Sequence, residues 1–149
     1  MNLTFRPFAM DDADEVSAMM LDLYVGDPGG APMSLDKTRA TFAALLDKPD
    51  RGNILVMERE GAIVGYSVLI NFWSNEYGGN LLHIDELYVK AAYRSQGIAS
   101  QFVHYLREQQ FNNLVGMMLE VSDINDQARK LYYNLGFKQH KNEVLFLRK

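Results

Sequence analysis

Between Leu87 and Arg107 the chain carries no Asp or Glu. With 19 acidic side chains in 149 residues, an even scatter would place roughly two or three in a stretch of that size. A helix also normally welcomes acids in its first turn, where they meet the positive end of its dipole. In their place stand Lys90, Arg94, Ser95, Gln96 and Gly97, where a strand ending at Val89 runs into a helix beginning near Gly97 or Ile98. The apolar face Ile98, Phe102, Val103 and Leu106 identifies that helix. The free N–H groups of its first turn, the dipole and Arg94 converge there, and Gly97 lets a ligand approach the backbone closely, which suits a phosphate or pyrophosphate. A glycine turn with an exposed arginine satisfies the same residues. Arg94-Ser95-Gln96-Gly97-Ile98-Ala99 holds one glycine where Gly-x-Gly-x-x-Gly needs three, and no Gly-Lys-Ser/Thr occurs. Rossmann dehydrogenases and phosphate-loop hydrolases are therefore excluded.

The remaining pattern alternates strands and helices in one domain, residues 1–149. Leu3 to Phe8 reads as a strand, and Asp11, Asp12, Asp14 and Glu15 open a helix with the stripe Val16, Met19, Met20, Leu23. The loop Gly26 to Pro32 either closes over a substrate or simply connects. Ser34 or Asp36 caps a second helix carrying Phe42, Leu45 and Leu46. Ile54 to Met57, Ile63 to Ile70 and Leu81 to Val89 form a meander with reversals at Glu58-Arg59-Glu60-Gly61 and Ser74 to Gly79. Val115 to Val121 is a short buried strand, and Ala128, Leu131, Tyr132 and Leu135 mark a helix stopped by Gly136. The tail is expected to end in a strand at Val144-Leu145-Phe146-Leu147.

The strand His83-Ile84-Asp85-Glu86-Leu87-Tyr88-Val89 breaks the period of two, because strict alternation places an acid on each face. Either a bulge resets the register, or one acid points into a cleft as a proton acceptor, or both serve as salt-bridged scaffolding. His83 offers base chemistry or simple packing. Further on, Asn125 or Asp123 caps the last helix, and Asn125 and Tyr132 lie two turns apart on roughly one face. Tyr132 presents a hydroxyl to that face or packs into the core.

The chain has no Cys and only three His, at His83, His104 and His140, which removes thiol nucleophiles and leaves little for a protein-held metal. A net charge of -4 speaks against nucleic-acid binding and suits a cationic small substrate. No basic segment followed by an apolar run opens the chain, and no apolar window reaches membrane-spanning length, so a cytoplasmic protein without membrane contact is the expectation.

Taken in order, these residues resemble the GCN5-related N-acetyltransferase (GNAT) superfamily. Leu87-Tyr88-Val89 followed by Arg94-Ser95-Gln96-Gly97-Ile98-Ala99 is similar to its acetyl-CoA pyrophosphate motif, Gln/Arg-x-x-Gly-x-Gly/Ala. Asn125 to Phe137 is similar to its second signature, Asn-x-x-Ala-x-x-Leu/Phe-Tyr-x-x-x-Gly-Phe. The resemblance covers essentially the whole chain. It implies an α/β (α+β) fold: a mixed, mostly antiparallel V-shaped sheet of six to seven strands flanked by about four helices, with acetyl-CoA in the opening. It also implies direct acetyl transfer to a primary amine such as a polyamine, aminoglycoside or lysine-like amine, with a peptide N-acetyltransferase or a non-catalytic acyl-CoA-binding domain as alternatives. By position, Leu87, Tyr88 and Val89 would pair with the pantetheine arm, Arg94, Ser95, Gln96, Gly97, Ile98 and Ala99 would hold the pyrophosphate, and Asn125 would touch the cofactor arm. Tyr132 would protonate the departing thiolate. Asp85, then Glu86, then His83 are the candidate bases, acting directly or through water. Ala99 replaces the motif's final Gly, and the short run Phe137 to Lys149 implies an acceptor pocket that is open or completed by a second subunit in a homodimer.

Overall fold

The computed structural model describes residues 2–27, 29–109 and 113–149. Met1 and Pro28, the latter within the expected 26–32 loop, lie outside the described residues. The elements run β1 Leu3–Pro7, α1 Ala13–Val25, α2 Leu35–Asp47, β2 Gly52–Arg59, β3 Ala62–Ser74, β4 Gly79–Val89, α3 Ile98–Glu108, β5 Leu114–Leu119 and α4 Asp126–Asn134. They form a mixed α/β fold whose sheet has the order β1-β2-β3-β4-β5, antiparallel except for the parallel β4–β5 pair.

Local chemistry accounts for the element ends. Of the two candidate caps for α2, Ser34 serves, its Oγ accepting from Lys37 N at 3.3 Å. Asp12 is buried ahead of α1, where it accepts from Ala9 N and from two guanidinium nitrogens of Arg6 at 2.8 and 2.9 Å. The β2–β3 reversal is shorter than the sequence suggests. Glu58 and Arg59 belong to β2, and only Glu60 and Gly61, both at positive φ, make the turn, as a two-residue hairpin requires.

Two cores flank the sheet. Val16, Met19 and Met20 of α1 and Phe42 and Leu45 of α2 pack on Ile54, Val56, Tyr66, Val68 and Tyr88. On the other face Ile98, Phe102 and Leu106 of α3 pack on Leu55, Met57, Leu69, Leu82 and Ile84, with Leu87 and Val89 against them. Leu82 and Ile84 share a face with Leu87 and Val89 although their parity differs. The register explains this: Val68 pairs with Glu86 and Leu69 with Ile84, so Asp85 is an extra residue in β4. This bulge resolves the conflict visible in the sequence.

The six to seven strands expected are corrected to five. From Phe137 onward the described backbone forms no strand, and Val144, Leu145, Phe146 and Leu147 are 76 to 94% exposed. An apolar run records the propensity to pair, and a strand exists only when a neighbour supplies the ladder. Among the described residues no helix is long and apolar enough to cross a membrane.

Candidate active site

The bulge at Asp85 determines where each acid of β4 points. Asp85 is exposed, whereas Glu86 returns to the face covered by α1 and α2. There Glu86 Oε1 accepts from the Tyr66 hydroxyl at 2.7 Å and Oε2 from the Tyr24 hydroxyl at 2.6 Å. Its backbone carbonyl accepts from Ser67 Oγ at 2.7 Å. Burial pushes the Glu86 carboxyl above the ordinary carboxylate range, and Asp85 adds to this, while the two tyrosine hydroxyls oppose it by stabilising the charged form. Burial and the same carboxylate raise the pKa of both tyrosines. The last turn of α1 is fastened to β4 reciprocally: Tyr24 donates to Glu86, and Tyr88 of β4 donates to Asp22. Farther along, Lys90 pairs with Glu15. His83, half-buried, lies two residues before the bulge, opposite Ile70 on β3 and Met118 on β5.

The β4–β5 ladder ends at the rung Ile84–Leu119, yet β4 continues to Val89. The pair therefore opens, and among the described residues no strand pairs with Asp85 to Val89 on the β5 side. At the wide end, Ser95 and Gly97 both adopt positive φ, 61° and 78°, and Gly97 is the N-cap of α3. The first α-helical bond there is donated by Gln101 to the Gly97 carbonyl at 3.0 Å, so the N–H groups of Ile98, Ala99 and Ser100 have no intrahelical acceptor. Arg94 donates Nε to the Val89 carbonyl at 2.8 Å and lies 5.4 Å from the centroid of the Tyr88 ring. This arrangement fits a pyrophosphate: N–H groups without an intrahelical acceptor, a helix N-terminus and two left-handed residues, Ser95 and Gly97, in the turn before it.

Asn125 caps α4 by accepting from Ala128 N at 3.2 Å through its side-chain oxygen, the amide nitrogen being its donor group. The helix ends in a Schellman motif: Gly136 at φ 100°, with Gly136 N to the Tyr133 carbonyl at 3.1 Å and Phe137 N to the Tyr132 carbonyl at 3.0 Å. Phe137 then packs edge-on against Tyr132, with centroids 5.7 Å apart. Burial raises the Tyr132 pKa, so the phenol stays protonated at neutral pH.

The sequence profile of the acetyltransferase (GNAT) family matches residues 18–137. The chain belongs to that family. Among curated relatives of this GNAT chain, an uncharacterized N-acetyltransferase of Methanocaldococcus jannaschii is 34% identical over 88 residues, 58% of this chain and 53% of that protein. The chain thus matches about half the length of that relative. Among solved structures, a possible acetyltransferase from Clostridium difficile 630 superposes with a TM-score of 0.85 at 24% identity, covering 100% of this chain and 99% of that one. An aminoglycoside N-acetyltransferase solved with the bisubstrate analogue CoA-S-monomethyl-acetylneamine gives 0.78 at 18% identity, covering 100% and 99%. A ribosomal-protein-alanine N-acetyltransferase from Brucella melitensis gives 0.80 at 16%, covering 99% and 100%. At these identities the likeness is one of GNAT fold.

The structure places Leu87, Tyr88 and Val89 at the end of β4, ties the 94–99 loop to them through the Arg94 Nε bond to the Val89 carbonyl, and holds Asp85 in the bulge beside Glu86. Sequence reasoning missed Tyr24, Tyr66 and Arg59. Tyr24 follows Met20 at helical spacing and Tyr66 precedes Val68 at strand spacing, so each had a periodic signal that reads equally as core. Arg59 had none, because it stands in a charged run that resembles a turn.

Proposed function

We propose that this GNAT chain is an acetyl-CoA-dependent N-acetyltransferase that transfers acetyl directly to a primary amine on a cationic small molecule of polyamine, aminoglycoside or lysine-like character. One observation carries the reading. Where the β4–β5 pair opens, β4 runs on towards the N-terminus of α3, and one residue past its bulge Glu86 is held by two tyrosines, which supports an anion site beside a proton acceptor. When bound, acetyl-CoA would supply an acetyl thioester activated for aminolysis. The amides at 95–99 would hold its pyrophosphate, the β4 edge at Leu87 to Val89, whose Val89 carbonyl already accepts from Arg94 Nε, its pantetheine arm, and the Asn125 amide nitrogen would donate to that arm. Glu86 would accept the ammonium proton, directly or through water; as the C–N bond forms and the C–S bond breaks, Tyr132 would donate its hydroxyl proton to the departing sulfur, and the second proton shed by the acylated nitrogen would restore the phenol through solvent. Asp85 would add negative potential at the mouth and favour a cationic acceptor.

The similarity to an aminoglycoside N-acetyltransferase supports the small-molecule acceptor. A screen of acetyl-CoA consumption across polyamines, aminoglycosides, lysine analogues and peptide N-termini tests the proposal. Turnover of cationic small amines is expected. Turnover of peptides alone would reassign the acceptor, and cofactor binding without turnover of any amine would make the chain a binding domain. A homodimer completing the acceptor side is part of the proposal, supported by the exposed apolar run Val144 to Leu147, and sedimentation equilibrium measures it.

A further inference from the structure

Arg59 closes β2 and is only 8% exposed. A buried charge is costly unless it is paired and fully hydrogen-bonded. Arg6, Arg39, Lys90, Arg129 and Lys141 each have a carboxylate partner, but no carboxylate pairs with Arg59 among the described residues. Its Nη1 donates to Gln96 Oε1, a neutral acceptor, and its Nε is buried with no hydrogen-bond partner among the described residues. Gln96 in turn donates Nε2 to the Ala92 carbonyl at 3.3 Å. The guanidinium therefore grips the middle of the 94–97 loop, between the two positive-φ residues Ser95 and Gly97 and at the positive end of α3. Two positive features meet there with no anion to balance them, in a part of the chain whose sequence is free of acids from Leu87 to Arg107.

We propose that Arg59 is a positioning residue of the pyrophosphate site. It fixes the backbone amides of the loop through Gln96 and places behind them a positive charge that is balanced only when the cofactor's pyrophosphate is seated. The inference rests on the acetyl-CoA reading above. An uncompensated guanidinium retained in a small domain is otherwise a net cost, and the ligand's two phosphates are the counter-charge it lacks.

Equilibrium binding to the ligand-free chain tests this without turnover. Isothermal titration would compare CoA, 3′-dephospho-CoA and pantetheine on the wild type, Arg59→Gln, Arg59→Lys and Gln96→Ala. In Arg59→Gln, CoA and 3′-dephospho-CoA are both expected to bind about tenfold more weakly while pantetheine, which lacks the pyrophosphate, changes less than about twofold. Arg59→Lys, which keeps the charge and loses the fork, falls between. Gln96→Ala removes the acceptor of Arg59 Nη1 at an exposed side chain; with its folding checked by urea denaturation, it is expected to weaken CoA about threefold and pantetheine not at all. Unchanged CoA affinity in both Arg59→Gln and Gln96→Ala, or an equal loss for pantetheine, overturns the role. A loss for CoA but not for 3′-dephospho-CoA would move the charge to the 3′-phosphate and also overturn it. Failure of the wild type to bind CoA at all would instead remove the cofactor reading.

Discussion

Phe137 sets the orientation of Tyr132: the two rings meet edge-on at 5.7 Å, five residues apart, because the Schellman turn at Gly136 folds the chain back over the end of α4. If Tyr132 is the proton donor, its precision depends on that support. Tyr132→Phe is expected to lower kcat by about one hundredfold or more with acetyl-CoA affinity nearly unchanged, within the usual range for loss of a general acid. Phe137→Ala should lower kcat about tenfold through misplacement of the phenol. Steady-state kinetics beside titration of CoA checks both, and full activity in Tyr132→Phe removes the assignment.

Glu86 should govern the acidic limb of the pH–rate profile. Burial raises its pKa, and the Tyr24 and Tyr66 hydroxyls hold it down by favouring the carboxylate. In the proposed role the charged form accepts the proton, so activity is expected to fall as pH drops through this pKa. Tyr24→Phe removes one stabilising donor and should move the limb to higher pH, and Tyr66→Phe should do the same. Glu86→Gln should abolish the limb along with most of the rate. Asp85→Asn, at an exposed bulge position, should leave a limb in place and move it slightly downward, because a neighbouring negative charge has been removed. A limb that vanishes in Asp85→Asn but not in Glu86→Gln would transfer the role to Asp85.

Gly97 has room for a methyl group, whose nearest neighbour would be Gln101 Nε2 at 3.9 Å. The obstacle is its φ of 78°. Gly97→Ala is expected to cost about 1–2 kcal/mol of stability from left-handed strain, read by urea denaturation. CoA affinity should drop as well, because the methyl stands where the phosphate must approach. A stable variant with unaltered CoA binding would place the anion elsewhere.

The Arg6–Asp12 pair holds β1 against the entry to α1. The guanidinium bonds, more than the Ala9 amide, lower the Asp12 pKa against the opposing effect of burial. With a folded pKa below the ordinary value, the pair's stabilisation is present above the ordinary carboxylate pKa and is lost as pH falls through the lower folded value. Asp12→Asn should therefore destabilise by about 1–3 kcal/mol at neutral pH, with the difference from wild type shrinking in strong acid. Denaturant midpoints across pH measure it. A difference that persists undiminished to the lowest pH would show that the ion pair is not its source.

Much of this protein was legible in one dimension. An acid on each face of a central strand contradicts the period of two and made a bulge one of the open readings, and Gly136 carried the stop of α4 in its residue type, while the register and the Ala128 N bond select the bulge at Asp85 and the cap at Asn125. The tail was misread for a physical reason. Val144 to Leu147 have strand-forming side chains, but whether they pair depends on an edge that no local pattern describes.

The sequence by itself determined the order of elements as far as α4, the acid-free approach to α3 and the positions of the two signature segments, because these depend on periodicity, capping and charge within a few neighbouring residues. Only the tertiary structure decided that Glu86 and not Asp85 turns under α1 and α2, that Tyr24 and Tyr66 share its two oxygens across 62 and 20 residues of sequence, and that Arg59 bonds Gln96 with no carboxylate partner among the described residues. Those relationships depend on register and on the crossing of α1 over β4, and they arise from packing distant segments together, so no window of the chain contains them.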